Sequence, residues 1–440
     1  MACEQVTLQD VCELIVDCPH TSTKDEGVGY PLIRTPNVGR GRLILTDVHR
    51  VSQDVYERRV SRAVPRQGDL ILAREAPAGN VAIVPPGIEV CLGQRTMLLR
   101  PDSSFVVPEY LNYYLNAPEQ RDRMLRLANG ATVSHINVAD IRNMPVQLPS
   151  RGEQSKVAEL LNVLDDKIDL NNRLNDYLEQ LVDGKFQELF GGLNFNATLS
   201  DVAEITMGQS PAGSSYNEEG AGIIFYQGRG EFGWRFPKRR LYTTEPKRLA
   251  CEGDVLMSVR APVGDLNVAF ENCCIGRGLA AIHSETPSFA LYLMRFLKPQ
   301  LEAYNGEGTV FGSINGKALK SLEVALPSHN EVMQFESFAA PIDALIRSNE
   351  NETRKLNNLR NYLLPKLMSG EIDVSKVDLT QLTNNHLPAR GHNVPNCYWK
   401  EPLWKPSFSR TDALEQCDQS KSYSRCAQSA KPDSCLRICA

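Results

Sequence analysis

The chain has 440 residues, 42% of them hydrophobic and 23% charged, with a formal net charge of -5. This length calls for two or more domains rather than one core, and the mild acidity argues against a protein that coats nucleic acid indiscriminately, while leaving room for local basic patches. The N-terminus lacks a basic-then-apolar leader and no apolar run approaches the roughly 20 residues of a spanning helix, so a cytoplasmic protein with no membrane partner is expected.

Residues 1–149 carry short apolar runs, DLILA and NVAIV among them, punctuated by Gly, Pro and Asn. That pattern predicts strands and turns, with a helix over YLNYYLNAPEQRDRMLRLA. Residues 150–191 change to a period near 3.5, through Val157, Leu160, Leu161, Leu164, Ile168, Leu174, Leu178, Leu181 and Leu189, which predicts a long coiled-coil helix. Residues 192–327 return to strand chemistry in DVLMSV and LNVAF, with a helix over FALYLMRFLKPQLEAY. Residues 328–370 repeat the helical spacing through Phe335, Phe338, Ile342, Leu345, Leu356, Leu359, Leu363 and Leu367, and Pro341 and Pro365 predict a kink or break inside it. A helix of about 40 residues is roughly 60 Å long, enough to hold two globular parts apart. The tail, 371–440, is rich in Ser, Pro, Cys and Asn without period and is expected to be mostly disordered. Five of the twelve cysteines lie in it; the others lack CxxC spacing, which suits a reducing compartment.

The halves are copies of each other. QGDLILAREAPAGN at 67–80 matches EGDVLMSVRAPVGD at 252–265 with Gly68, Asp69, Ala76, Pro77 and Gly79 each 185 residues from its partner. CLGQR at 91–95 then meets CIGRG at 274–278, and HINVADIRNMPVQLPS meets SINGKALKSLEVALPS, the offset drifting to 178. A register held over this span is an internal repeat. Asn171 and Asn349, also 178 apart, fall in the apolar stripes at the middle of their helices. If the helices pair antiparallel about a pseudo-twofold axis, the two asparagines meet there and fix register at some cost in stability. The helix-pairing set is then Leu164, Ile168, Asn171, Leu174, Leu178, Ile342, Leu345, Asn349, Leu356 and Leu359.

Catalytic motifs fail. NGKA lacks the upstream Gly and the hydroxyl residue of a phosphate loop, and HExxH, GxSxG, zinc spacing and an amino-methyltransferase Asn/Asp-Pro-Pro-Tyr motif are missing. No residue is expected to be catalytic or to bind a metal. GRGEFG at 228–233 fits GxGxxG, but WRFPKRR follows it, with no helix to present an N-terminus to a pyrophosphate. Arg229, Arg235, Lys238, Arg239 and Arg240 instead make a basic, glycine-flexible loop suited to phosphates and base edges. The first copy answers with Arg34, Arg40 and Arg42, followed by Arg58, Arg59, Arg62 and Arg66. Fifteen of the sixteen basic residues in 1–150 are arginine, the planar donor that suits guanine and phosphate. The repeated Gly-Asp-apolar-Ala-Pro string is a turn, a buried strand and a second turn. Arg74 and Arg260 near the second turn, with Arg95 and Arg277 in the later segments, complete the DNA-facing set.

With its paired GD-apolar-APxG segments, LLNVLDDKIDLNNRLNDYLEQL, and LNNLRNYLLPKLMSGEI, the chain resembles specificity subunits of type I restriction-modification systems over residues 1 to about 378. The resemblance implies an α+β protein with two tandem α/β target-recognition domains, 1–149 and 192–327, joined by two long antiparallel coiled-coil helices. It implies a noncatalytic reader of double-stranded DNA, each recognition domain binding one half of a bipartite asymmetric site while the helices set the spacer. Two methyltransferase subunits would dock on the helices and motor-nuclease restriction subunits would complete the complex. S-adenosylmethionine, ATP and Mg would belong to those partners, with no cofactor in this chain. The rival readings are a single-chain restriction enzyme or methyltransferase with fused recognition domains, and a repeat-built protein-binding scaffold. The tail has no counterpart in the first copy.

Overall fold

The computed structural model of the chain describes residues 4–128, 135–306 and 312–374; of the tail expected to be mostly disordered, residues 371–374 are described, with Val374 buried, and the rest lies outside the described residues. The first copy is organised around five strands, β1 (Cys12–Asp17), β2 (Gly41–Arg42), β3 (Leu70–Ala73), β4 (Val81–Ile83) and β5 (Thr96–Pro101), in the order β1-β5-β3-β4-β2. Every residue of β3 is buried. A central strand covered on both faces has no reason to alternate, which is why DLILA reads as a continuous apolar run. The helix α1 (Pro108–Asn116) packs on β4. A second small sheet, Arg50–Val51, Tyr30–Ile33 and Cys91–Leu92, carries the basic segment that begins at Arg34.

The long helix α2 (Arg151–Phe190) follows, and then the pattern repeats. Strands β6 (Glu204–Met207), β7 (Val255–Ser258), β8 (Leu266–Val268) and β9 (Leu279–His283) form a sheet in the order β6-β9-β7-β8, with α3 (Pro287–Phe296) in place of α1. A second sheet of five short strands includes Ile223–Tyr226, which pairs in parallel with Cys273–Ile275 as Tyr30–Ile33 pairs with Cys91–Leu92. Gly68 and Gly253 have φ of 87° and 91°, so the turn before each central strand needs a residue without a Cβ. The chain closes each copy with a strand pair: Glu4–Thr7 runs antiparallel to Pro145–Leu148, and Ala197–Thr198 to Glu323–Val324.

The second long helix is α4 (His329–Met368), and both long helices have 40 residues. Each starts at a capping box written by the repeated LPSxxE string. The Ser150 hydroxyl accepts from Glu153 N–H while the Glu153 carboxylate accepts from Ser150 N–H at 3.0 Å; Ser328 and Glu331 do the same. Such a box satisfies amides left unbonded at the helix start. α4 continues through Pro341 and Pro365, so the expected break is absent. Both prolines face solvent, where water can satisfy the carbonyl that each deprives of a donor.

The two helices lie antiparallel, with Arg360 bonded to Asp165, Lys167 to Glu352 and Asn175 to Ile346. Leu164, Ile168, Asn171 and Asn349 are buried, and Leu178, Ile342 and Leu356 half-buried. Leu174, Leu345 and Leu359 lie toward solvent rather than in the buried stripe: they are 38%, 44% and 45% exposed. Beyond Asn171 the buried stripe of α2 continues through Asn175, Val182, Phe186 and Phe190, and that of α4 runs through Ala339, Ile346, Asn349 and Thr353. Around the expected Asn171 and Asn349 the buried positions Asn175 and Thr353 are also polar, where the leucine spacing favours Leu174 and Leu356. Among the described residues outside Pro85–Ile88, the chain forms one compact unit. No described helix is long and apolar enough to cross a membrane.

Candidate nucleic-acid interface

Each copy gathers its basic loops around the turn that follows the central strand. In the first copy the Arg34 loop lies against Gly93, where a Cβ would meet the Ile33 carbonyl and the Arg34 side chain at 2.8 Å. In the second, Gln227 and Gly228 lie equally close over Gly276 and Gly278. Each turn is bridged to a segment far along the chain, Glu75 to His135 and Arg260 to Ser313. Loops from distant parts of the sequence thus share one edge, and glycine is the residue that lets them approach.

Arg40, Arg95, Arg229, Lys238, Arg239, Arg240, Arg260 and Arg277 are exposed. Of these, Arg95 pairs with Glu75 at 2.9 Å, and Arg229, Arg239 and Arg240 pair with Asp265, Glu271 and Glu231, each at 2.5 Å. The Arg95, Arg229 and Arg239 pairs are surface pairs, weak enough to exchange for phosphate, whereas Arg240 is held by the buried carboxylate of Glu231, 8% exposed. Arg40, Lys238, Arg260 and Arg277 have no ion-pair partner among the described residues. Arg34 is half-buried and its Nε makes no hydrogen bond.

Three predicted readers are occupied elsewhere. Arg74 forks onto Asp17 at 2.7 and 2.8 Å and donates to the Ile136 carbonyl, its side chain 11% exposed. Arg42 reaches the α2 carboxylates of Asp166, at 2.8 Å, and Asp169. Arg235, 4% exposed, bonds Asp343 on α4 at 2.7 Å, Glu179 on α2 at 3.1 Å and the Tyr292 hydroxyl at 3.1 Å. Burial works against its charge, but Tyr292, Asp343 and Glu179 outweigh it and hold the guanidinium above its ordinary value. Arg74 and Arg235 bind protein carboxylates because a buried arginine requires a charged partner; Arg42, 39% exposed, is held by the two carboxylates of α2. Arg42 and Arg235 come from corresponding loops, and each fastens its copy to the long helices.

That fastening has a second half which the repeat already contained. Tyr113 on α1 donates to Asp165 on α2 at 2.7 Å, and Tyr292 on α3 donates to Asp343 on α4 at 3.1 Å. Burial, reinforced by the neighbouring aspartate, pushes both phenols well above the usual range. Asp165 and Asp343 are 178 residues apart, the offset of the aligned helices, so a tyrosine–aspartate pair common to both copies was the available signal. In the second copy Phe186, Phe190, Phe289 and Phe335 add an edge-on aromatic cluster between α2, α3 and α4. The basic loops are therefore presented by domains anchored to the long helices on either side of Asn171.

The family description "Type I restriction modification DNA specificity domain" matches the chain twice, over residues 2–180 and 196–361. The putative type I restriction enzyme MjaX specificity subunit of Methanocaldococcus jannaschii is 31% identical over 396 residues, covering 83% of this chain and 93% of that protein. The EcoKI specificity subunit of Escherichia coli K12 is 22% identical over 414 residues, covering 80% and 86%. The crystal structure of the type I restriction-modification S subunit from M. genitalium superposes with a TM-score of 0.56 at 16% identity, covering 83% of this chain and 96% of that one, a likeness in fold.

Proposed function

Because the chain belongs to the type I restriction-modification DNA specificity family, we propose that it is the noncatalytic reader of such a system, each copy recognising one half of a bipartite, asymmetric site in double-stranded DNA. The observation that carries this reading is the repetition of one basic-loop edge in two domains pinned to a single pair of long helices. Residues 1–149 and 192–327 act as the two recognition domains. The exposed Arg40, Lys238, Arg260 and Arg277 contact DNA directly, Arg95, Arg229 and Arg239 do so by exchanging a surface carboxylate for phosphate, and the exposed Arg240 reaches phosphate while still held by the buried Glu231. Exchange of this kind adds a salt-dependent term to affinity, while base-edge contacts supply specificity.

The helices α2 and α4 act as an antiparallel coiled coil about an approximate twofold axis through the Asn171–Asn349 contact, and their length sets the unread spacer. Methyltransferase subunits dock on the face of α2 that carries Leu170, Leu174, Tyr177 and Leu181. These four side chains follow helical spacing, are 38–68% exposed, and form the kind of apolar surface that a partner covers. S-adenosylmethionine enters with those subunits, and ATP and Mg with the restriction subunits, in the cytoplasm.

The test is a domain exchange. Residues 194–327 are replaced by the second domain of another family member, the complex is reconstituted with methyltransferase subunits, and the methylated sites are sequenced. One half-site should change while the other half and the spacer persist. Loss of both half-sites would contradict two independent readers.

A further inference from the structure

The two copies neutralise one buried carboxylate with different chemistry. Asp69 and Asp254 stand at the same point, on the turn before the central strand, 2% and 5% exposed. In the first copy Arg100 donates to Asp69 through Nε at 2.9 Å and Nη2 at 2.8 Å. The registers Leu70 to Leu99 and Val255 to Ile282 put His283 where Arg100 stands, and its Nδ1 lies 2.6 Å from Asp254 Oδ1. Three residues before the aspartate, Arg66 of the first copy is answered by Cys251 of the second. Both donate a backbone N–H to the carboxylate, at 2.8 and 2.7 Å. Two guanidinium positions of the first copy thus hold a thiol and an imidazole in the second, and the ligand atoms of Cys251, Asp254 and His283 all lie within 4.8 Å of one another.

We propose that Cys251, Asp254 and His283 form a binding site for a thiophilic divalent cation of the zinc type, present in the second copy only. One thiolate, one carboxylate and one imidazole suit zinc, with water in the fourth position, and disfavour magnesium or calcium, which select all-oxygen sites. Cys251 is exposed and the His283 side chain is 52% exposed, so the cation has access. The buried Asp254 is already held by the Cys251 amide. Bonds of about 2.0–2.3 Å to the metal need the imidazole to move away from the carboxylate as the ion enters between them, and a side chain at the surface can do so. Binding releases the thiol proton, and the imidazole proton when His283 is charged. The bound ion then ties the turn to the end of β9 as Arg100 ties its turn to β5.

The experiment uses the full chain, stripped with a chelator under reducing conditions and dialysed against zinc, with metal content measured by elemental mass spectrometry. His283→Arg installs the side chain that the first copy uses at this point, and Cys251→Ser removes only the sulfur. The wild-type chain should retain one zinc equivalent more than either variant. Any zinc held by the tail cysteines is common to all three proteins. Loaded with cobalt, the wild type should show a thiolate charge-transfer band that Cys251→Ser lacks, with thermal melting to establish that each variant is folded. Equal zinc content in the wild type and both variants, or a cobalt spectrum unchanged by Cys251→Ser, would overturn the site.

Discussion

Asn171 and Asn349 meet where α2 and α4 cross at their midpoints. The Asn171 amide reaches the Asn349 backbone carbonyl at 3.5 Å, and the Asn349 amide donates to the Asn175 side chain at 2.8 Å. Asn171 also bonds Glu352 at 2.8 Å and Thr353 at 3.4 Å. Swapping 171 with 349 and 175 with 353 turns the Asn349–Asn175 bond into the Asn171–Thr353 bond, so both sides of the contact follow one scheme.

Asn349→Leu should destabilise the full chain by about 1–3 kcal/mol in urea unfolding, because it leaves the Asn175 carbonyl oxygen buried without a donor. The double change Asn171→Leu, Asn349→Leu should fold but relax register, and sequencing of methylated sites should then report more than one spacer length. A single unchanged spacer would remove the registering role from these asparagines.

Replacing Arg235 and replacing Lys238 should separate anchoring from reading. Arg235→Met leaves Asp343 with no cation, only the Tyr292 hydroxyl, while Glu179 keeps Arg295 at 2.9 Å, and should cost about 3 kcal/mol in unfolding free energy. Lys238→Ala should leave stability within about 0.5 kcal/mol, while weakening DNA binding and lowering the salt slope of log affinity by about 1. Calorimetry and binding at several salt concentrations read the two effects independently.

The difference between these neighbours shows what the sequence makes visible. The repeat, the two sheets and the long helices were legible because local spacing and a constant offset record them. The fate of each arginine was not, since Arg235 and Lys238 belong to one basic run and only the tertiary placement of Glu179 and Asp343 distinguishes them. The neighbours of Asn171 and Asn349 in the helix contact are hidden for a related reason. Leucine content suggested an apolar interior, whereas Asn175 and Thr353 lie inside and Leu174 and Leu359 outside. Cys251 and His283 lie far apart in sequence, and without strand register nothing connected them to Asp254.

Glu352 predicts a pH dependence. The Asn171 amide, with Lys167, holds its carboxyl below the ordinary value of 4.5. A depressed folded-state value makes this contribution complete above that ordinary value and removes it as pH falls through the lower folded value. The stability gap between wild type and Glu352→Gln should therefore be constant near neutrality and close on acidification below 4.5. Urea midpoints across the acid range provide the check, and a gap that widens on acidification would reverse the assignment.

The exposed leucines predict a mutation that spares the fold. Leu174→Lys with Leu181→Lys should leave unfolding free energy within about 0.5 kcal/mol per site, yet prevent methyltransferase subunits from co-purifying. Retention of the partners at wild-type stoichiometry would place docking on another face.

The strand pair between Glu4–Thr7 and Pro145–Leu148 has a topological consequence. It brings the first described strand beside the residues that lead into α2, and the antiparallel register brings the last turns of α4 toward the same end of α2. Followed from Glu4 through both copies, the described chain returns close to its starting point, so its connectivity is nearly circular. A circular permutant that opens the chain between Phe190 and Ala197, and links the end of α4 to Glu4, would keep every strand pair and helix contact described above.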